Sequence, residues 1–224
     1  MRAQTSLTFS ALALGLLLGT SCSSSSWSTR VQGEGPFVPD QRQLADFDTI
    51  ELSGGMRLDV EVGGPQSVII HADENLHEYI RTRIEDGTLE IDFTESVSTQ
   101  HELRAEIRVP ELKGIEVAGS CKMTVTGIEA EHFEVDVAGA ASGTLSGRAG
   151  GIDVDVAGSS DLDLSSLECR EAVIDIAGSA KIDVAASDSL DVDIAGSGVV
   201  RYRGQPAVSL DQAGSGKVVP LQEE

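Results

Sequence analysis

Six carboxylates recur at one phase of a repeated phrase, and carboxylates in a row are the oxygen ligands that hard cations take. They are Glu116, Asp136, Asp155, Asp175, Asp193 and Asp211. Each lies three positions before a glycine, at Gly119, Gly139, Gly158, Gly178, Gly196 and Gly214. A second, partial column five positions before the glycine holds Glu134, Asp153 and Asp191. The glycines recur at a nearly constant interval, and a fixed period of this size marks stacked units. At the spacing of paired strands, about 4.8 Å, neighbouring carboxylates repel one another and resist ionisation. A Ca²⁺ ion would relieve that repulsion, so the column reads as a weak cation ladder. The competing reading is a solvated acidic face that keeps an exposed sheet soluble. No Gly-Gly-x-Gly-x-Asp calcium repeat accompanies the acids.

Other chemistry finds little support. His71, His77, His101 and His132 have no Cys or His partner at metal-site spacing, and each reads as a surface or edge residue. There is no phosphate loop, no Ser-His-Asp arrangement and no redox cysteine pair. A polysaccharide-degrading site would need a singular pair of carboxylates and aromatic sugar platforms. Here the acids recur at every turn, and the repeats carry only Phe133 and Tyr202 as aromatics. Lys122, Lys181 and Lys217 share one phase but are separated by non-basic residues in other turns. No catalytic residue and no firm cofactor is expected, so the chain does not read as an enzyme. A net charge of -21 excludes nucleic acid as a partner, because phosphate binding needs a basic face. Cations, a protein or a glycan remain as partner classes.

The elements that position the ladder follow from the same ruler. Two and four positions before each glycine stand Val137, Val156, Ile176 and their equivalents, alternating with the acids as the inward face of a strand. Four and six positions after it stand a second alternating set, including Leu162 with Leu164 and Ile182 with Val184. The Ala-Gly-Ser step between them is a corner, where glycine takes positive φ and small residues stack. A parallel β-helix of six turns, roughly 29 Å long, follows. A meander of antiparallel hairpins repeats at the same length, but the solenoid explains why one corner sequence is kept. Gln212 and Pro220 in the last copy read as a cap. Cys121 and Cys169 lie at different phases, more than two repeats apart, and read as unpaired packing residues.

Before the repeats the organisation changes. Residues 1–21 combine a basic start with an apolar run from Leu7 to Leu18, too short to span a bilayer and suited to export. The run ends in Gly-Thr-Ser before Cys22, which resembles a bacterial lipoprotein signal with Cys22 as the acylated residue. Residues 22–36 are small and polar and read as a flexible tether. Residues 37–110 alternate as strands, with one helical turn near Leu76 and a hairpin turn at Asp86-Gly87. Residues 111–220 are the repeat region, and 37–220 together read as one continuous domain.

Several of these stretches together are similar to one family. Phe47-Asp-Thr-Ile-Glu-Leu52, the strand from Gly54 to Val62, Asp86-Gly-Thr-Leu89, Val109-Pro110 and the Ala-Gly-Ser turns resemble the head GIN domain, the auto-transporter adhesin type, over Phe47 to Val219. The resemblance implies a right-handed parallel β-helix in an exported bacterial lipoprotein of the outer membrane or periplasm. It implies no catalytic residues. The expected role is a noncatalytic, adhesin-like or structural envelope protein held to the membrane by its lipid, with a carbohydrate- or calcium-binding module as the alternative. A specific site is to be sought where the phrase breaks, at Cys121-Lys122, Leu145 to Gly151 and Arg201 to Gln205.

Overall fold

The alternation seen in the sequence is realised as strand nearly throughout. A computed structural model describes residues 30–221, so the export segment and Cys22 lie outside the described residues. In chain order the strands are β1 (Val31–Gln32), β2 (Phe37–Arg42), β3 (Thr49–Val62), β4 (Ser67–Asp73), β5 (Ile80–Glu85), β6 (Thr88–Phe93), β7 (Val97–Ser98), β8 (Arg104–Val109), β9 (Gly114–Gly196), β10 (Val199–Arg203), β11 (Ala207–Gly214) and β12 (Lys217–Pro220). A short 3₁₀ helix, Glu74–Tyr79, seats Leu76 in the core as the sequence predicts. The protein is all-β, with one ten-stranded sheet and a two-stranded pair of β1 with β7.

The repeats pair in parallel at the offset of one repeat. Val200 lies beside Ile182 and Leu210 beside Val192, its equivalent in the preceding copy. β12 pairs in parallel with β10, placing Val218 beside Val200. These contacts are not those of an antiparallel meander. Each phase therefore forms a column, and the inward columns are buried. Val135, Val154, Ile174 and Val192 are one such file, and Val137, Val156, Ile176 and Ile194 the next. Where Gly143 interrupts a column of large residues, a β-carbon would collide with the Met123 side chain, so methionine fills the space the glycine leaves.

β3 is a further copy that lies outside the series in sequence. It pairs in parallel with the start of β9, Ile50 beside Ile115, Glu51 beside Glu116 and Gly54 beside Gly119. Ser53-Gly54-Gly55, which the alternation alone presents as a turn between two strands, is a corner inside one continuous strand. β6 and β8 also pair with β3 in parallel. Beyond them the direction reverses: β4 is antiparallel to β8, β2 to β4, and β5 to β6. The β5–β6 hairpin turns at Asp86 and Gly87, both with positive φ, as Asp-Gly predicts. These antiparallel strands extend the sheet beyond β8 and β6 and leave β2 and β5 as its edge strands.

The stretch read as a tether is attached in its described part. β1 pairs with β7, and the Glu34 amide donates to Asn75 Oδ1 at 2.7 Å. Its polar composition hid these bonds, because they reach segments distant in the chain.

Candidate functional site

The acid column is built by strand alternation. Val or Ile at the flanking positions points inward, so the acid between them points out. The six acids line one groove of about 590 Å³, with Ala138, Ala157, Ala177 and their equivalents beside them. Parallel pairing extends the column to Glu51, beside Glu116. Sequence reasoning missed Glu51, although Ile50-Glu-Leu-Ser-Gly54 has the spacing of the repeated phrase.

The geometry raises five of the carboxyls, with burial rather than repulsion between like charges as the first cause. Partial desolvation raises Glu116, with the charges of Glu51, Asp136 and Glu134 adding to it. Desolvation followed by neighbouring acids likewise raises Asp136, Asp155, Asp175 and Asp193. Asp155 and Asp175 are neighbours in the file, and their coupling adds to the rise of Asp175 and offsets part of that of Asp155. The acids stand in file and do not surround a point. Among the described residues no three His, Cys, Asp or Glu side chains are gathered as a metal cage requires. In the partial second column Asp153 meets His132 Nε2 at 3.0 Å.

The corner glycines are placed one above another by the same pairing. Gly119, Gly139, Gly158, Gly178, Gly196 and Gly214 all have positive φ. A β-carbon on each would collide with the carbonyl of the preceding corner. The amides of Ser197 and Ser215 each donate to the carbonyl of a corner glycine one repeat back, at 2.8 Å. The corner is therefore a structural element and offers no reactive group.

A second groove of about 530 Å³ lies where the segment around His101 meets the corners, and Arg57, His101, Ser120, Cys121, Lys122 and Ser142 line it. Beside it stands Asp73, a carboxylate only 2% exposed. The Thr99 hydroxyl donates to Oδ2 and His101 Nδ1 donates to Oδ1 at 2.7 Å, while Phe37 packs on the imidazole at 5.0 Å between ring centres. The Thr99 hydrogen bond, ahead of the opposing effect of burial, lowers Asp73 below the usual carboxylate range. Asp73 ends β4 and His101 lies in the loop before β8, so no spacing announces the pair. Cys121 and Cys169 are free and buried, and burial pushes both thiols up to about 11, which leaves them unreactive at neutral pH.

The places where the phrase breaks have packing explanations. Arg201 forms an ion pair with the buried Asp183, and Arg203 donates to the Ser165 carbonyl at 2.5 Å. Gly147 and Gly150 lie against the carbonyls of Ile128 and Glu131, where a β-carbon would collide. Lys122 lies 3.6 Å from Glu102, and Lys181 3.6 Å from Asp161.

Parallel files of Val and Ile, a flank of acids and a column of corner glycines define an all-β protein, most of it one large sheet, whose regularity is its main chemical feature. The chain belongs to the family described as Putative auto-transporter adhesin, head GIN domain, whose model matches residues 46–206. Among solved structures it is similar to a putative adhesin from Bacteroides fragilis, with 17% identity and a TM-score of 0.68 over 85% of this chain and 100% of that one. A putative lipid binding protein from Parabacteroides distasonis is similar at 24% identity and a TM-score of 0.50, over 86% of this chain and 100% of that one. A search of curated proteins found no match. Among the described residues no helix is long and apolar enough to cross a membrane.

Proposed function

We propose that this chain is a noncatalytic, adhesin-like protein of the cell envelope. Residues 1–21 are removed on export, Cys22 is acylated, and the domain stands at the membrane surface as a right-handed parallel β-helix whose sides contact a protein or glycan. The one-repeat parallel registers of β10 and β11 support the solenoid reading. The observation that carries the functional reading is the uniform flank from Glu51 to Asp211, which repeats one exposed chemistry along the stack. Such a surface suits an extended contact and offers no singular position for a reacting atom. The family's own description supports contact over catalysis.

The test has two arms. Cells expressing the chain should incorporate labelled palmitate into it and hold it in the membrane fraction, and Cys22→Ala should lose both properties. The envelope-purified protein should then capture a saturable protein or glycan partner without altering it. Unlabelled, freely soluble wild-type protein would overturn the anchor. Release of new unsaturated ends from acidic polysaccharides would overturn the noncatalytic reading.

The acid-lined groove favours a second reading, weak Ca²⁺ binding along the ladder. Millimolar Ca²⁺ should then raise the melting temperature, and Asp155→Asn with Asp175→Asn should abolish the rise. No shift in the wild type at that concentration would end this reading.

A further inference from the structure

The two ends of the stack are finished differently. At the N-terminal end the edge strands carry guards against further pairing: β2 contains Pro39, Asp40 and Arg42, and β5 carries Arg81 and Arg83. At the C-terminal end β12 carries Lys217 and Pro220, the latter read from the sequence as part of a cap, but β11 has neither proline nor basic residue, and its only charge is Asp211. Among the described residues β11 has one ladder partner, β9, so its other edge is open. Val208 and Leu210 continue the files of Leu190 and Val192, which are fully buried, yet each is 42% exposed. The family model stops at residue 206, immediately before this strand begins.

We propose that β11 pairs with β11 of a second copy of this chain, antiparallel and centred on Leu210, to form a closed two-fold dimer. Charge selects this face. The chain carries -21, but residues 207–221 contain only Asp211 and Lys217, which cancel. A second copy therefore meets less repulsion here than at the acidic flank. Residues 222–224 add two glutamates to the sequence just beyond it, a modest opposing charge.

Register selects the centre. Antiparallel partners share a face of the sheet, so Leu210 opposite its own copy places Val208 opposite Gln212 and keeps inward side chains on the inward side. Asp211 then faces Ser209. Moving the centre by one residue to Asp211 would place like charges opposite each other, which is destabilising. Closure follows from the guarded N-terminal edges: a head-to-tail filament would have to pair with those strands, whereas an isologous pair uses the open edge twice.

Pairing through β11 does not depend on acylation at Cys22 or on the partner of the acidic flank. It is tested by oxidative cross-linking of the full chain in its native envelope. Leu210→Cys should give a disulfide-linked homodimer, Ser209→Cys alone much less, and Val173→Cys on the lateral face none. The purified protein should sediment as a reversible dimer that tightens with added salt, because salt screens the repulsion of two acidic chains. Leu210→Lys should weaken association by about tenfold or more while lowering the melting temperature of the dilute protein by no more than about 5 °C. Equal cross-linking by Leu210→Cys and Val173→Cys would overturn the proposal. So would linkage of Leu210→Cys to a different protein, or a wild type that remains monomeric at about 0.1 mM.

Discussion

A β-carbon on Gly158 would collide with the carbonyl of Gly139, and the φ of +139° is one that L side chains rarely adopt. Both penalties act at once, and the neighbouring repeats hold the backbone in place. Gly158→Ala should therefore cost about 2–4 kcal/mol in urea unfolding. Ala157→Ser, one residue away on the exposed side, should be within about 0.5 kcal/mol of wild type. At the other conspicuous residue, Asp73→Ala removes the acceptor for Thr99 and His101 at a buried position. It should destabilise by about 2–3 kcal/mol, with His101→Ala costing less because that side chain is half exposed. The glycine column is legible in the sequence because it repeats. The Asp73 cluster is not, because its bonds join distant segments and leave no period.

At the scale of elements, periodicity conveys columns and pairing offset but not which distant strands complete the stack. The alternation of Val and Ile with acids locates the inward files of β9 from sequence alone. It does not place β3 in those files, because the strands from β4 to β8 intervene between Gly54 and Gly119 in the chain. Nor does it reveal the antiparallel strands, where Phe37 pairs with Asp73 through backbone bonds indifferent to side-chain identity. The acid ladder is legible from Glu116 to Asp211, whereas Glu51 carries the same spacing before Gly54 but stands apart from the run, so only the pairing of β3 with β9 assigns it to the column. The files themselves support a quantitative test. Ile174 and Leu210 occupy one column, but Ile174 is fully buried between neighbouring repeats, and Leu210 has a repeat on one side only. Ile174→Ala should cost about 3–4 kcal/mol, and Leu210→Ala less than about 1.5 kcal/mol in dilute solution. Equal losses in a denaturant series would show that the last repeat is covered by something other than solvent.

For the whole molecule the acids set an opposing pair of pH dependences. Glu116, Asp136, Asp155 and Asp175 are raised, first by desolvation and then by neighbouring acids, so the folded state holds protons more tightly than the unfolded chain. Their ionisation at neutral pH therefore opposes folding, and stability rises as pH falls through the raised values toward the unfolded carboxylate range near about 4. Asp73 and Asp163 are lowered, each first by a side-chain hydrogen bond, from Thr99 and Ser165. Their contribution is present above the unfolded value and is lost as pH falls through the lowered ones. Stability should pass through a maximum in mildly acidic solution, with a melting temperature higher near pH 5 than at pH 7.5 and lower again near pH 3. Salt should reduce the slope on the neutral side, where neighbouring exposed carboxylates repel, and should affect the acid limb less, because Asp73 is buried in hydrogen bonds. Asp155→Asn with Asp175→Asn should raise the melting temperature at pH 7.5 and flatten that limb, since both carboxyls are raised by burial and by neighbouring acids. Thermal scans across this range, at low and high salt, separate the two limbs. A melting temperature that climbs steadily to pH 8 would mean that solvent and counterions have already relieved the ladder, and with it would go the electrostatic reason for a cation to bind there.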